Sequence, residues 1–131
     1  MTEIITIPTP ALGDCSYLLV SGDEAAVIDP QRDIAPVLAA AASRGATFRW
    51  ALDTHVHNDY VSGAREVAAA TGATAAGPAG AWYGFRHVPL VDGSEIAVGD
   101  ALLRAIHTPG HTPEHTSYCL LYTSPSPRDR S

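Results

Sequence analysis

Short runs of apolar residues alternate with turn-forming residues through the first third of the chain. Glu3–Ile7, Ser16–Val20 and Ala25–Pro30 are rich in β-branched and apolar residues, and Pro, Gly and Asp separate them. This pattern predicts three short strands joined by turns. A helix is predicted next, because Asp33 is a suitable N-cap, apolar residues recur at helical spacing after it, and Gly45 can end it.

The middle of the chain continues with further strands and one more helix. Phe48–Thr54 is a predicted buried strand, Gly63–Thr71 a short helix and Ala73–Ala76 a weak strand. Two more strands are predicted at Ser94–Gly99 and Ala101–Thr108, after an irregular stretch rich in Gly and Pro. The order strands, helix, strand, helix, strands predicts an α/β (α+β) fold, in which helices pack outside sheets.

Composition narrows the classes of protein. The chain has 131 residues, of which 46% are hydrophobic and 17% charged, as expected for one globular domain. It has eight basic residues and a net charge of −6, so nucleic acid is not an expected partner. No run reaches the roughly 18 apolar residues of a membrane span, and the N-terminus lacks the features of a secretory signal. The two cysteines, Cys15 and Cys119, exclude a disulfide scaffold, so a cytoplasmic location is expected.

The last residues differ in composition from the rest of the chain. No core residue follows Tyr122, and two Ser-Pro steps occur there, which predicts a disordered tail. The stretch "CLLYTSPSPRD" also resembles the translation of a common transposase-type sequencing adapter, with a genuine flexible C-terminus as the alternative. The adapter interpretation predicts a partial native domain over residues 1–118 and a non-native, disordered tail over residues 119–131.

The stretch "THVHNDYVSG" carries the first candidate site. His55, His57 and Asp59 occupy alternate positions just after a predicted strand. In an extended segment, alternate residues point the same way, so these three side chains would converge. Imidazole and carboxylate are the ligands that zinc, iron and manganese prefer, although a surface loop with two histidines is common.

A second group of histidines follows the last predicted strand. "HTPGHTPEH" places His107, His111 and His115 four residues apart, but the prolines and glycine between them rule out a helix. Pro109 and Gly110 are instead typical of a type II turn, which would fix the backbone just before His111. Two histidine-bearing loops at strand ends together predict a metal site.

These two motifs, with "AAVIDPQRDI", resemble the metallo-β-lactamase superfamily, and most of all its persulfide-dioxygenase-like and rhodanese-linked members. The resemblance implies a four-layer αββα sandwich with the metal at one edge, of which residues 1–118 would be the N-terminal half. By position, His55, His57 and His111 match the metal ligands of the first site. In the dioxygenase-like branch the residues matching His55 and His111 hold iron with a downstream aspartate, which would lie beyond Tyr118.

Tyr60 bears on the number of metals. In two-metal relatives such as glyoxalase II, the carboxylate matching Asp59 and a histidine at position 60 hold the second metal. A phenol, with a reference pKa of about 10, is a poor ligand near neutral pH. The resemblance and this substitution together imply one metal, Fe(II) first and Zn(II) second.

The remaining polar residues of interest are expected to have catalytic, orienting or structural roles. Asp59 is the candidate catalytic carboxylate, able to hydrogen-bond a ligand histidine or a metal-bound water. His115 and Tyr60 are candidates for orienting ligands or substrate, with a solvent-facing His115 as the alternative. Asp29 and Asp53 each end a predicted strand, where turn or capping roles are expected. His107 is expected to be structural.

The resemblance implies an enzyme of sulfur metabolism that oxidises a small thiol persulfide with O2 to sulfite and the thiol. The alternative is a glyoxalase II-like thioester hydrolase that uses zinc-bound hydroxide. A third expectation, for the chain as given, is a fragment without activity because the downstream aspartate is missing. A fused or separate rhodanese module and a homodimer are left open by the sequence.

Overall fold

The computed structural model describes residues 2–9, 14–30, 33–54, 63–78, 88–108 and 116–122. Within these residues it forms strands and two helices in the order β1 (Thr2–Thr9), β2 (Asp14–Ser21), β3 (Glu24–Ile28), α1 (Ala35–Ala42), β4 (Thr47–Leu52), α2 (Gly63–Thr71), β5 (Thr74–Pro78), β6 (Val88–Leu90), β7 (Glu95–Val98), β8 (Ala101–His107) and β9 (Thr116–Tyr122). The helices of this part of the chain are too short to cross a membrane.

The strands form two sheets. The larger has six strands in sequence order, β1 to β6, and the smaller has three, β7 to β9. Strands β1, β2 and β3 pair antiparallel, whereas β3, β4, β5 and β6 pair parallel. Helices α1 and α2 make the crossover connections that parallel pairing requires. As a result, the C-terminal ends of β3, β4 and β5 meet at one edge of the larger sheet.

Helix α1 ends close to where the sequence predicts. Gly45 has a positive φ of 67°, and the Ala46 amide donates to the Ala41 carbonyl at 3.0 Å, which is the Schellman arrangement expected of a C-terminal glycine. Its start differs slightly from the prediction, because Ile34 rather than Asp33 is the N-cap. Asp33 still contributes, since its Oδ1 accepts a hydrogen bond from the Ala35 amide at 3.1 Å.

Two apolar layers hold these elements together. One lies between the helices and the larger sheet and includes Leu18, Val27, Val37 and Val67. The other lies between the two sheets and includes Leu19, Ala26, Leu52, Val98 and Leu103. Consecutive residues of β2 and β3 alternate between the two layers, as the period of a strand requires. The larger sheet is therefore buried on both faces, which confirms the predicted α/β organisation with helices outside a pair of sheets.

A register shift between β3 and β4 changes which way β4 faces. The shift falls between Ala25 and Ala26, so that Ala25 pairs with Phe48 and Ala26 with Trp50. Phe48 packs in the helix-side layer, whereas Trp50 packs between the sheets and donates its indole N–H to the Ala97 carbonyl at 3.1 Å. Phe48 and Trp50 are two residues apart and would share a face in a regular strand, but the shift puts them on opposite faces of the sheet.

Two strands were not predicted. Strand β6 spans only three residues, and β9 follows the second histidine motif, where proline-rich composition obscures a strand. Pairing of β9 with β8 continues to Tyr122, past the boundary expected at residue 118. Residues 119–122 therefore lie in a strand, and the division of the chain at residue 118 stays a prediction. The proposed adapter origin of residues 119–131 stays a prediction.

Candidate metal centre

The predicted metal ligands, the predicted catalytic carboxylate and the two predicted orienting residues all lie outside the part of the chain that the structure describes. These are His55, His57, Asp59, Tyr60, His111 and His115, which fall in the intervals 55–62 and 109–115. The chain on either side of both intervals is described, so the position of the candidate centre can be judged from the strand ends that flank it.

The first interval begins after Thr54, which is fixed by Asp29. The Thr54 amide donates to Asp29 Oδ1 at 2.8 Å, and the Thr54 hydroxyl donates to Asp29 Oδ2 at 2.8 Å. Both carboxylate oxygens of Asp29 therefore accept a hydrogen bond from Thr54. This confirms a capping role for Asp29, because its carboxylate accepts the backbone amide just past the end of the neighbouring strand.

Asp29 is itself held by the backbone around it. Its φ is 54°, a left-handed conformation that Asp tolerates better than most residues. Its amide donates to the Leu52 carbonyl at 2.7 Å, and its carbonyl accepts from the Ser16 hydroxyl at 2.8 Å. The carboxylate is thus presented to Thr54 by contacts with two neighbouring strands.

The second interval, 109–115, is flanked by residues that lie close to the C-terminal end of β4. The Tyr118 hydroxyl, from β9, donates to the Asp53 carbonyl at 2.6 Å. The hydroxyls of Thr108 and Ser117, on either side of the interval, are 2.9 Å apart. The strand ends that lead into both histidine motifs therefore meet at one edge of the sandwich.

Electrostatics keep the Tyr118 phenol protonated. Burial, followed by the nearby carboxylates of Asp53 and Asp29, raises its pKa far above the ordinary value of 10.0. The hydroxyl is therefore a hydrogen-bond donor at any physiological pH and cannot serve as a base. Asp53 is also fixed through its backbone, because its amide donates to the Ala76 carbonyl at 3.1 Å.

An open groove of about 430 Å³ adjoins this edge. It runs between the two sheets, and most of its lining is apolar. Its lining residues are Ile4, Tyr17, Leu19, Ile28, Asp29, Thr54, Leu103, Ser117, Tyr118 and Leu120. Thr54, the last described residue before His55, thus faces an apolar space at the point where the candidate centre begins.

His107 and Cys119 lie outside these two intervals and are described by the structure. His107, at the end of β8, is exposed, and its amide donates to Asp92 Oδ1 at 2.8 Å, which agrees with a structural role. Cys119 is an exposed free thiol on β9. Across the described ranges, no three His, Cys, Asp or Glu side chains gather into a metal-binding group.

The donor set of the sequence fits a catalytic metal. The three predicted ligands, His55, His57 and His111, carry imidazole, a type of ligand that both zinc and ferrous iron accept. The described flanks add two supports, because Asp29 and Tyr118 hold the peptide between Asp53 and Thr54, just before the first predicted ligand. Sequence reasoning gave Asp29 a turn or capping role without its partner and missed Tyr118, since each contact joins residues distant in sequence.

Two packed sheets with helices outside, and histidine motifs that leave strand ends at one edge, are typical of metal-dependent enzymes built on a β-sandwich. The chain belongs to the metallo-beta-lactamase superfamily, whose family profile matches residues 12–124. The resemblance inferred from the two histidine motifs is thereby confirmed, together with the fold that it implied.

Individual proteins refine this comparison. The chain is 42% identical over 99 residues to a hydroxyacylglutathione hydrolase from Anaeromyxobacter dehalogenans, covering 75% of this chain and 38% of that protein. A metallo-beta-lactamase structure from Staphylococcus aureus is similar with a TM-score of 0.83 and 31% identity, covering 92% of this chain and 39% of that one. The structure of ETHE1 from Myxococcus xanthus is similar with a TM-score of 0.82 and 26% identity, covering 90% of this chain and 53% of that one. The chain spans less than half the length of the curated relatives that it matches.

Proposed function

We propose that the full-length protein is a one-metal enzyme that acts on a small thiol derivative, with oxidation of a thiol persulfide by O2 as the first candidate reaction. The observation that carries this proposal is Tyr60. By the resemblance of its motif, this position corresponds to a histidine ligand in two-metal relatives. A neutral phenol does not replace an imidazole as a ligand near neutral pH.

The proposed ligands are His55, His57 and His111, joined in the full-length protein by a carboxylate from beyond residue 118. A bound ferrous ion would supply redox chemistry, and a bound zinc ion would supply Lewis acidity. Asp59 is proposed to hydrogen-bond a ligand histidine or a metal-bound water, and His115 and Tyr60 to orient ligands or substrate. Iron is the first choice of metal and zinc the second.

The described residues support a rigid site. The peptide just before His55 is held by hydrogen bonds to Asp29 and Tyr118. The segment that contains His111 begins and ends near a contact between the hydroxyls of Thr108 and Ser117. Placing ligands on ends fixed by packing and hydrogen bonds limits the loss of conformational entropy when a metal binds.

The second candidate reaction is hydrolysis of a thioester with zinc. It has at least as much support from related sequences, because the 42% identity to a hydroxyacylglutathione hydrolase exceeds the 26% identity to ETHE1. The identity to the hydroxyacylglutathione hydrolase extends over 75% of the chain, whereas the argument from Tyr60 concerns a single ligand position. We rank persulfide oxidation first because ligand chemistry decides how many metals can be bound. In either case the expected substrate is small and the expected location is the cytoplasm.

The deciding experiment uses the gene amplified from its source DNA past the codon for Tyr118. The full-length product is purified without added metal, its metals are measured by mass spectrometry, and it is assayed with glutathione persulfide and with a hydroxyacylglutathione thioester. Iron together with O2 uptake and sulfite release supports the first reaction. Zinc with thioester hydrolysis in the absence of O2 supports the second, and no bound metal contradicts both.

A further inference from the structure

We propose that Tyr118 is a positioning residue for the metal-ligand segment that begins at His55. This inference rests on the proposed function, since it concerns the same metal site. Its structural basis is the 2.6 Å hydrogen bond from the Tyr118 hydroxyl to the Asp53 carbonyl, two residues before His55.

The Asp53 carbonyl and the Thr54 amide belong to the same peptide unit. Tyr118, from the smaller sheet, donates to the oxygen of this unit, and Asp29, from the larger sheet, accepts its N–H at 2.8 Å. Because a peptide unit is planar, with its oxygen and its hydrogen on opposite sides, holding both atoms opposes rotation of the unit about the line that joins its two Cα atoms. That orientation sets the direction in which the chain enters His55.

The ring and the hydroxyl of Tyr118 have separable roles. The ring packs with the apolar layer between the sheets, a role that phenylalanine could fill equally well. The hydroxyl adds a strong hydrogen bond to one specific carbonyl, and losing a donor to a buried acceptor is destabilising unless the acceptor moves. Without the hydroxyl, the peptide unit is therefore expected to rotate and to carry the first ligand with it.

Tyr118 is not an acid–base group in this proposal. Its pKa is raised far above the usual range by burial and by two nearby carboxylates, so the phenol keeps its proton. It acts on the site through the backbone, as outer partners of metal ligands do when they hold a ligand in the binding orientation.

The test compares Tyr118→Phe with Tyr17→Phe in the full-length protein. Tyr17 lines the same groove and is 43% exposed, so its variant removes one phenol oxygen from the same groove. Zinc affinity of the metal-free protein is measured by competition with a chromophoric chelator. Tyr118→Phe is expected to bind zinc roughly 5–10-fold more weakly, near the lower end of the effect of losing an outer partner. Tyr17→Phe is expected to match the wild type.

Two further readouts separate positioning from general stability. Cobalt(II) bound in place of zinc reports ligand geometry through its visible absorption, which Tyr118→Phe is expected to change. Hydrogen exchange of the metal-free protein is expected to become faster at the Thr54 amide while core amides of β3 and β4 keep their protection.

Each outcome decides one of the two proposals. If the wild type binds zinc and Tyr118→Phe binds it equally well with the same cobalt spectrum, the positioning role is wrong and the proposed function stands. If the wild type binds no metal, the proposed function is wrong, and selective exchange at Thr54 then supports positioning of the segment while unchanged exchange overturns it. Global unfolding of Tyr118→Phe alone would make the hydroxyl a general structural requirement and overturn the positioning role.

Discussion

The carboxylate of Asp29 binds Thr54 twice, accepting its amide at Oδ1 and its hydroxyl at Oδ2, each at 2.8 Å. Asp29 follows β3 and Thr54 follows β4, so this contact ties together the C-terminal ends of two neighbouring parallel strands. The next residue in the chain is His55, the first of the candidate ligands. The contact between Asp29 and Thr54 thus lies directly before the first proposed metal ligand.

Replacing Asp29 with asparagine should destabilise the protein. Asparagine tolerates the left-handed φ of 54°, but it has one acceptor oxygen and no charge, so one of the two hydrogen bonds must change. We expect the free energy of unfolding to fall by about 1–3 kcal/mol, as for hydrogen bonds to charged groups. Urea denaturation measures this. Asp23→Asn, in an exposed turn, makes the same charge change and should cost less than about 0.5 kcal/mol. Equal effects would contradict the prediction.

Local patterns predicted some elements well and others poorly. Helix α2 matches its prediction at both ends, and the glycine that follows it, Gly72, has a positive φ of 81°. Strand β6 was missed because three residues are too few to show a period, and β9 because prolines flank it. The Asp29–Thr54 and Tyr118–Asp53 contacts could not be predicted, since they depend on how strands distant in sequence pair and pack.

Gly99 is expected to resist substitution for two reasons. Its φ is 56°, and a Cβ there would lie 2.0 Å from the Ser21 carbonyl oxygen. Gly93 provides a matched control, because its φ is 92° but a Cβ added there would have no atom within 4 Å. Gly93→Ala should cost about 1–2 kcal/mol from backbone strain alone. Gly99→Ala should cost roughly 1–3 kcal/mol more, since the backbone must also shift.

Thermal unfolding of the two glycine variants, compared at one temperature, measures the difference. The excess cost at Gly99 reports the close approach between the turn after β7 and the end of β2. That approach is reinforced by the Gly99 amide, which donates to Glu24 Oε1 at 2.8 Å. A Gly99→Ala protein no less stable than Gly93→Ala would show that the two sheets do not approach so closely.

Tyr118 should make stability depend on pH in the alkaline range. Its pKa is raised in the folded protein, so the unfolded chain releases the phenolic proton first, near pH 10. The stability that this provides is complete below pH 10 and is lost as pH rises above it, by up to about 1.4 kcal/mol per pH unit. Denaturation at pH 9 and pH 11 should show a smaller loss for Tyr118→Phe than for the wild type. The exposed Tyr17→Phe variant should lose as much as the wild type, and an equal loss in all three would contradict the assignment.

Position 60 provides a direct test of how many metals the full-length protein binds. Tyr60→His would restore an imidazole beside Asp59, so the second site would regain the ligand that two-metal relatives use. We expect the wild type and a Tyr60→Phe control to bind one metal per chain, and Tyr60→His to approach two, as measured by metal analysis after dialysis against zinc. Phenylalanine removes the phenol without adding a ligand, so it separates the loss of tyrosine from the gain of histidine. A wild type that already binds two zinc ions would show that Tyr60 does not limit the site, and the ranking of thioester hydrolysis below persulfide oxidation would then be reversed.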